Sequence, residues 1–217
     1  MPDLLKIKVC GLRNKENIEQ VCELEPDYIG YIFYRKSKRF VGADPNPDIF
    51  MIPDNRVKKV GVFVNEELGK VRQIHETCGL DLVQLHGEET PEYCMTLHQW
   101  GIPVIKAIDP MSINSATTLK DYNEPVRFFL FDNSGIEFGG TGEQFDWSIL
   151  KDIRVSSPFF LSGGIGPGDV REITGIEHDM LFAVDVNSRF EIQPGLKDIE
   201  RLKHFIHAIR KESSYGI

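Results

Sequence analysis

The chain has 217 residues, enough for one well-buried core, and its 41% hydrophobic and 27% charged residues are those of a globular protein. A net charge of −8 argues against nucleic acid as the main partner. No apolar run approaches the roughly 20 residues of a membrane span, and the N-terminus, MPDLLKIKVCG, lacks the layout of a signal peptide, so the expected location is the cytoplasm.

Strands and helices alternate along the chain. Ile7 to Cys10 reads as a strand, and Asn14 to Leu24 as a helix with Ile18, Val21 and Cys22 on one face. Tyr28 to Phe33 is the second strand. The stretch Gly42 to Asn55 is rich in Pro, Asp and Asn and leaves room only for a short helix. Val60 to Val64 is the third strand, and Glu66 to Thr77 a helix with Leu68, Val71, Ile74 and then Cys78 at helical spacing. Leu82 to Leu85 and a helix from Pro91 to Trp100 follow. Val104 to Ile108 is the fifth strand, with a weak helix near Ile113 to Tyr122. Phe128 to Phe131 is the sixth strand, and Asp146 to Ile153 supplies a short helix. Phe159 to Leu161 and Leu181 to Val186 complete eight strands. The last helix carries Ile199, Leu202, Ile206 and Ile209 as one apolar stripe.

Eight such units average about 27 residues each, near the lower size limit of a (β/α)₈ barrel, so most loops must be short. An open doubly wound sheet is the alternative, but no GxGxxG follows the first strand. The expected architecture is therefore a single (β/α)₈ barrel over residues 1–217. Among the four cysteines, Cys22, Cys78 and Cys94 read as core fillers, and none has the spacing of a metal site.

Barrel chemistry sits at the C-terminal strand ends. The stretch Phe159 to Val170, FFLSGGIGPGDV, leaves the seventh strand through Gly163 and Gly164 toward an expected helix start, with Pro167 and Asp169 in its first turn. One strand later, Asp185-Val186 runs into Asn187-Ser188-Arg189. Two successive turns of this kind suit a phosphate, although each alone is compatible with an ordinary βα turn.

Period-two alternation places Ile7 and Val9 toward the helices and Lys8 with Cys10 inside. An inward lysine beneath Cys10 favours the thiolate, which makes the sulfur a candidate base rather than a small buried hydrophobe. On the sixth strand Phe128, Leu130 and Asp132 share a face, and a carboxyl at the rim of that apolar wall suits a general acid, with a structural hydrogen bonder as the alternative. Gln84 and His86 share an inner face of the fourth strand. His86 reads equally as a ligand contact or a satisfied core group, with a base as a third role. The cluster Tyr34-Arg35-Lys36-Ser37-Lys38-Arg39-Phe40 follows the second strand and suits an anionic aromatic ligand if it is more than a solvated loop.

The segments KVCGL, GYIFYRKSKRFV, VGVFVNE, LVQLHGEE, IKAI, the strand-six Asp followed by FGGTGEQFDW, LSGGI and AVDVNS…PGLKD occur in this order. Together the chain resembles the phosphoribosylanthranilate isomerases over nearly its whole length. The resemblance implies an Amadori rearrangement of N-(5-phosphoribosyl)anthranilate in tryptophan biosynthesis, with no cofactor and no metal. It implies Cys10 as general base, Asp132 as general acid and Arg39 as partner of the anthranilate carboxylate. Gly163, Gly164 and Ser188 would cradle the phosphate, with Asp185 at its edge; Gln84 and His86, from their shared inner face, are the further candidate substrate contacts. The implied partner is a small phosphorylated molecule, and the expected state is a monomer, with a homodimer as the alternative.

Two departures stand out: Asn187-Ser188-Arg189 replaces the family's common Ser-Ser-Gly, and Arg13 stands where a small hydroxyl residue is usual. A histidine-pathway sugar-phosphate isomerase is a competing reading, but that family uses two Asp residues as acid and base. A non-catalytic phosphate-binding barrel is the other, separated from the first by turnover.

Overall fold

The computed structural model of the chain describes residues 4–113, 119–133 and 144–215. Eight parallel strands close into a barrel in the order of the sequence. They are β1 (Lys6–Val9), β2 (Tyr28–Ile32), β3 (Lys58–Phe63), β4 (Leu82–Leu85), β5 (Val104–Ile108), β6 (Phe128–Phe131), β7 (Phe159–Leu161) and β8 (Leu181–Val186). Closure is completed by β1 against β8, with Lys8 opposite Asp185 in the register. All eight expected strands are present, with ends displaced by one or two residues at β1, β2 and β3; Cys10 lies just beyond β1.

Helices α1 (Lys15–Glu23), α2 (Leu68–Cys78) and α3 (Pro91–Gln99) follow strands one, three and four. Two of the starts have a side-chain cause. The Asn14 side chain caps α1 at Asn17 N, and Thr90 caps α3 with Pro91 in its first turn. Helix α2 ends on Gly79 at φ 55°, a left-handed residue that stops the helix cheaply. The Pro-rich stretch after β2 contains only the 3₁₀ turn Pro47–Phe50, as its composition requires. Another 3₁₀ segment, Trp147–Asp152, occupies the short helix expected before β7. The C-terminal helix Ile199–Tyr215 buries Leu202, Phe205, Ile206 and Ile209. The weak helix at Ile113–Tyr122 and the FGGTGEQFDW segment fall partly outside the described residues.

The expected helix start after β7 needs correction. The helix there is short, Val170–Thr174, and begins after Asp169 rather than with Pro167 in its first turn. The Asp169 carboxylate makes no cap to that helix; it turns back to accept from Gly166 N at 2.6 Å. A carboxylate finds an unpaired N–H in its own turn closer than the helix terminus, and the helix starts late as a result.

Alternation divides the core. Ile7, Val9, Phe129, Phe131, Val184 and Val186 pack outward with the helices, whereas Tyr28, Val60, Leu82, Ile105, Phe128, Leu130, Phe160 and Ala183 fill the barrel. Tyr28 and Phe128 each meet Phe160 edge to face at 5.3 Å, with Phe182 stacked on Phe128 at 4.9 Å. Aromatic rings thus occupy the N-terminal part of the barrel interior. The polar inward residues sit further along the strands: Lys8, Gln84 and Asp185 are all buried.

A second buried charge holds the rim. Lys106 Nζ donates to Gly87 O at 2.7 Å and pairs with Glu89 Oε2 at 3.0 Å. Glu89 in turn accepts from Asn65 N and Gly87 N. This knot ties the ends of β3, β4 and β5 together around His86. Removing one member of such a pair strands the other in low dielectric. Lys106→Met should therefore lower unfolding free energy by about 3–5 kcal/mol in urea titrations, and Lys106→Met with Glu89→Gln should recover part of the loss; a single variant as stable as the parent would contradict this role.

Candidate active site

One pocket opens at the C-terminal ends of the strands, with roughly 750 Å³ of empty space that includes open solvent at its mouth. It is lined by Cys10 from the end of β1, Arg39 from the loop after β2, Gln84 and His86 at β4, Asp132 at β6, Gly163 and Gly164 after β7, and Asp185 and Ser188 at β8. All nine residues singled out in the sequence therefore line the same cavity. Cys10, Gln84, His86, Asp132 and Asp185 continue the inward faces of their strands, whereas Arg39, Gly163, Gly164 and Ser188 come from the loops that follow theirs.

The floor is an ionic network. Lys8, with no exposed surface, donates to Asp185 Oδ2 at 2.8 Å and to Gln84 Oε1 at 2.9 Å. Gln84 Nε2 lies 2.8 Å from His86 Nδ1, and His86 Nε2 lies 3.2 Å from Asp132 Oδ2. Each end of the Gln84 amide thus already has a partner within the protein, so Gln84 serves the floor of the pocket. Asp132 Oδ1 and Asp185 Oδ1 are buried without any hydrogen-bond partner among the described residues. Two acceptors left open in a pocket wall suit ligand hydroxyls or a proton held for transfer.

Cys10 is buried, and its sulfur fits because residue 30 is glycine. A Cβ at Gly30 would lie 2.7 Å from Cys10 Sγ. That glycine is a positioning requirement the sequence reading missed, and the YIGYI pattern of β2 offered the signal: a small residue on an inward position. The expected electrostatics of Cys10 also need correction. Burial pushes the thiol above its ordinary range; the Lys8 and Lys197 charges pull it down, but Asp185 opposes them. Lys8 is indeed inside beneath the sulfur, yet its charge is shared with Asp185, so it does not leave a ready thiolate. Burial would lower the Lys8 pKa, but attraction to Asp185 and Cys10 outweighs it and raises it.

Arg39 is held from behind. Its Nε donates to both oxygens of Glu191, at 2.9 and 3.0 Å, and Nη2 donates to Glu191 Oε2 at 2.8 Å. This engages one edge of the guanidinium and leaves the Nη1 side for another carboxylate, which is how a five-donor fork serves two anions. Glu191 and Lys197 belong to the hairpin of β9 (Glu191–Gln193) and β10 (Leu196–Lys197). Lys197 Nζ pairs with Glu191 Oε1 at 2.8 Å and reaches Asn187 Oδ1 at 2.7 Å. Burial drives Lys197 down to about 8, against the pull of Glu191. This support was not legible in the sequence, because nothing near Glu191 marks it as inward. Of the cations in the cluster after β2 only Arg39 lines the pocket, together with Tyr34 and Ser37; Arg35, Lys36 and Lys38 are exposed.

The side of the pocket expected to take phosphate is built from backbone. Gly163 and Gly164 stand at φ 90° and 64°, conformations that open the turn after β7. The N–H groups of Gly164 and Ser188 make no hydrogen bond to another described residue. Arg189 packs its side chain over Gly166, with Cδ 3.1 Å from where a Cβ would stand. Arg13 lies against Gly195 and does not line the pocket. Asn187 and Ser188 line the same pocket as Cys10, Asp132 and Arg39.

The thiol can be titrated directly. The ultraviolet thiolate band lost on Cys10→Ser should appear only at pH above the ordinary thiol value, because burial disfavours the anion. A midpoint below about 8.5 would show that the lysines prevail instead.

The family model for N-(5'-phosphoribosyl)anthranilate isomerase matches residues 7–208. An N-(5'-phosphoribosyl)anthranilate isomerase of Parabacteroides distasonis is 43% identical over 204 residues, covering 94% of this chain and 92% of its own. A solved phosphoribosylanthranilate isomerase in complex with reduced 1-(o-carboxyphenylamino)-1-deoxyribulose 5-phosphate is 33% identical, with a TM-score of 0.78 over 96% of this chain and all of its own. A third, from Thermotoga maritima and described as monomers generated from a dimeric enzyme, is 34% identical, with a TM-score of 0.73 and the same coverage. With the closed eight-stranded barrel and the pocket at its C-terminal face, these matches mean that the chain belongs to the N-(5'-phosphoribosyl)anthranilate isomerase family.

Proposed function

We propose that this chain isomerises N-(5'-phosphoribosyl)anthranilate to 1-(2-carboxyphenylamino)-1-deoxyribulose 5-phosphate, an Amadori rearrangement in tryptophan biosynthesis. The observation that carries the reading is the convergence of Cys10 and Asp132 on one pocket with a guanidinium and a pair of unengaged turn N–H groups. The substrate has matching parts: a benzoate, a sugar whose ring must open, and a terminal phosphate.

Asp132, as the carboxylic acid, protonates the furanose ring oxygen. The C1–O bond breaks as the nitrogen lone pair forms a Schiff base, and the acid is left as a carboxylate. Cys10, as the thiolate, removes the C2 proton; the C2–H electrons form the C1–C2 double bond and neutralise the iminium nitrogen. The resulting enolamine tautomerises to the aminoketone. An acid and a base suffice for these steps. Lys8 and Lys197 favour the thiolate once it forms, and burial strengthens it as a base by disfavouring the anion. Arg39 takes the benzoate carboxylate on the edge that Glu191 leaves open. Gly163, Gly164 and Ser188 take the phosphate on backbone N–H groups, and Asp185 Oδ1 accepts from a sugar hydroxyl.

The paired acid and base also weigh against the histidine-pathway reading, since β1 ends in a cysteine where that chemistry calls for a second carboxylate. The expected working state is a monomer, with a homodimer as the alternative; sedimentation at assay concentration tests it. No helix of the described residues is long and apolar enough to cross a membrane. A cytoplasmic setting suits four free cysteines, one of them the base.

Turnover decides between an isomerase and a phosphate-binding barrel. Phosphoribosylanthranilate generated in situ should lose its fluorescence when the protein is added, and binding without consumption would contradict the assignment. Cys10→Ser and Asp132→Asn should each cut kcat by about 10²-fold or more. A Cys10→Ser protein at close to the parent rate would show that the sulfur is not the base. Arg39→Ala should act differently. A carboxylate contact present in both ground and transition states is uniform binding, so KM should rise, by roughly 30-fold for about 2 kcal/mol, with kcat little changed. An unchanged KM would mean that another group holds the benzoate.

A further inference from the structure

The network on the pocket floor has a direction, set by which of its atoms can only donate. The Lys8 ammonium carries donors and no acceptor. It lies 2.9 Å from one end of the Gln84 amide, so that end must be the oxygen. The amide is thereby oriented with its NH₂ toward His86, and an amide NH₂ only donates. At 2.8 Å, His86 Nδ1 must then be the bare, accepting nitrogen. A neutral imidazole with Nδ1 bare carries its proton on Nε2, and Nε2 stands 3.2 Å from Asp132 Oδ2. The ammonium is itself locked by Asp185 Oδ2 at 2.8 Å, so the amide has no reason to turn over. Lys8 and Gln84 are almost wholly buried, which leaves no room for water to relax the sequence of donors.

We propose that Lys8 and Gln84 are positioning residues that hold His86 as the Nε2–H tautomer, so that the imidazole donates to Asp132 and never takes its proton. The role rests on the isomerase reading for its purpose: Asp132 must give its proton to substrate, and a bare Nε2 at 3.2 Å would compete for it. With Nε2 already protonated, the transferable proton has only the substrate as an acceptor. When the proton leaves, the new carboxylate meets a donor already in place. A donor aimed at the atom where charge develops costs no reorganisation at that moment. His86 thus contributes through Asp132, which resolves the three roles that the sequence left open for it.

The test reads the ring nitrogens of His86 directly, by nitrogen-15 NMR of the full-length protein with His86→Asn as the assignment control. The parent should show Nε2 protonated and Nδ1 bare at neutral pH. A proton on Nδ1 in the parent would overturn the proposal. Gln84→Glu presents an acceptor to both Lys8 and Nδ1, so it should put a proton on Nδ1 and lower kcat by about 10-fold or more with KM changed far less. Gln84→Met keeps the side-chain volume and releases the ring, so both tautomers should be present and the kcat loss should be smaller. If Gln84→Glu folds and leaves the ring and kcat as in the parent, the relay does not operate. The two readings separate cleanly. The expected tautomer in a protein that does not turn over phosphoribosylanthranilate would uphold the relay and sink the isomerase assignment; normal turnover with Nδ1 protonated would do the reverse.

Discussion

An ammonium with no exposed surface sits in the middle of the barrel, and much of the pocket is arranged around it. Taking the Lys8 charge out of water is costly unless an opposite charge and hydrogen bonds meet it. Asp185 supplies the charge from the neighbouring strand, directly opposite in register, and Gln84 supplies an oxygen from across the barrel. Once these two are committed to Lys8, the remaining polar floor follows. The amide of Gln84 orients His86, His86 reaches Asp132, and the sulfur of Cys10 sits in the field of the same ammonium. The network spans β8, β1, β4 and the end of β6, so Cys10 and Asp132, the proposed base and acid, are both referenced to one buried charge.

The same economy governs the substrate ends. Arg39 would be a floppy surface cation if Glu191 did not hold one edge of it, and Glu191 would be a costly buried anion without Lys197. Burial raises the Glu191 carboxyl, but hydrogen bonds from Arg39 and the Lys197 charge bring it below the usual range. The hairpin after β8 therefore holds Arg39, the proposed partner of the benzoate, which comes from the loop after β2. The proposed phosphate side rests on backbone. Glycine turns present N–H groups there, and Arg189 lies over the neighbouring Gly166.

Much of this was legible in the residues. The inward placement of Lys8 and Cys10 follows from alternation on a four-residue strand, and the barrel follows from eight strand–helix units of minimal length. The pocket membership of Arg39, Gly163, Gly164 and Ser188 came with the family motifs. What stayed hidden has physical reasons. Glu191 and Lys197 belong to a short hairpin with a register shift, where alternation fails as a guide to facing. The Asp169 carboxylate reads as a helix first-turn charge, yet a nearer N–H in its own turn captures it. The Cys10 thiol is pushed up by burial first and by Asp185 second; the sequence shows that a lysine is near, but neither the depth of the sulfur nor the sharing of that lysine. His86 remained ambiguous for a similar reason: its tautomer depends on an amide whose orientation is set by a third residue on another strand.

The central claim is that one molecule spans these groups in a single pose, and a crystal structure with the reduced product, 1-(o-carboxyphenylamino)-1-deoxyribulose 5-phosphate, tests it most directly. The account predicts the phosphate on the N–H groups of Gly164 and Ser188, the benzoate carboxylate on the Nη1 side of Arg39, and C2 beside Cys10 Sγ with Asp132 across from it. A phosphate seated away from the glycine turn, or a benzoate that leaves Arg39 paired only with Glu191, would contradict it.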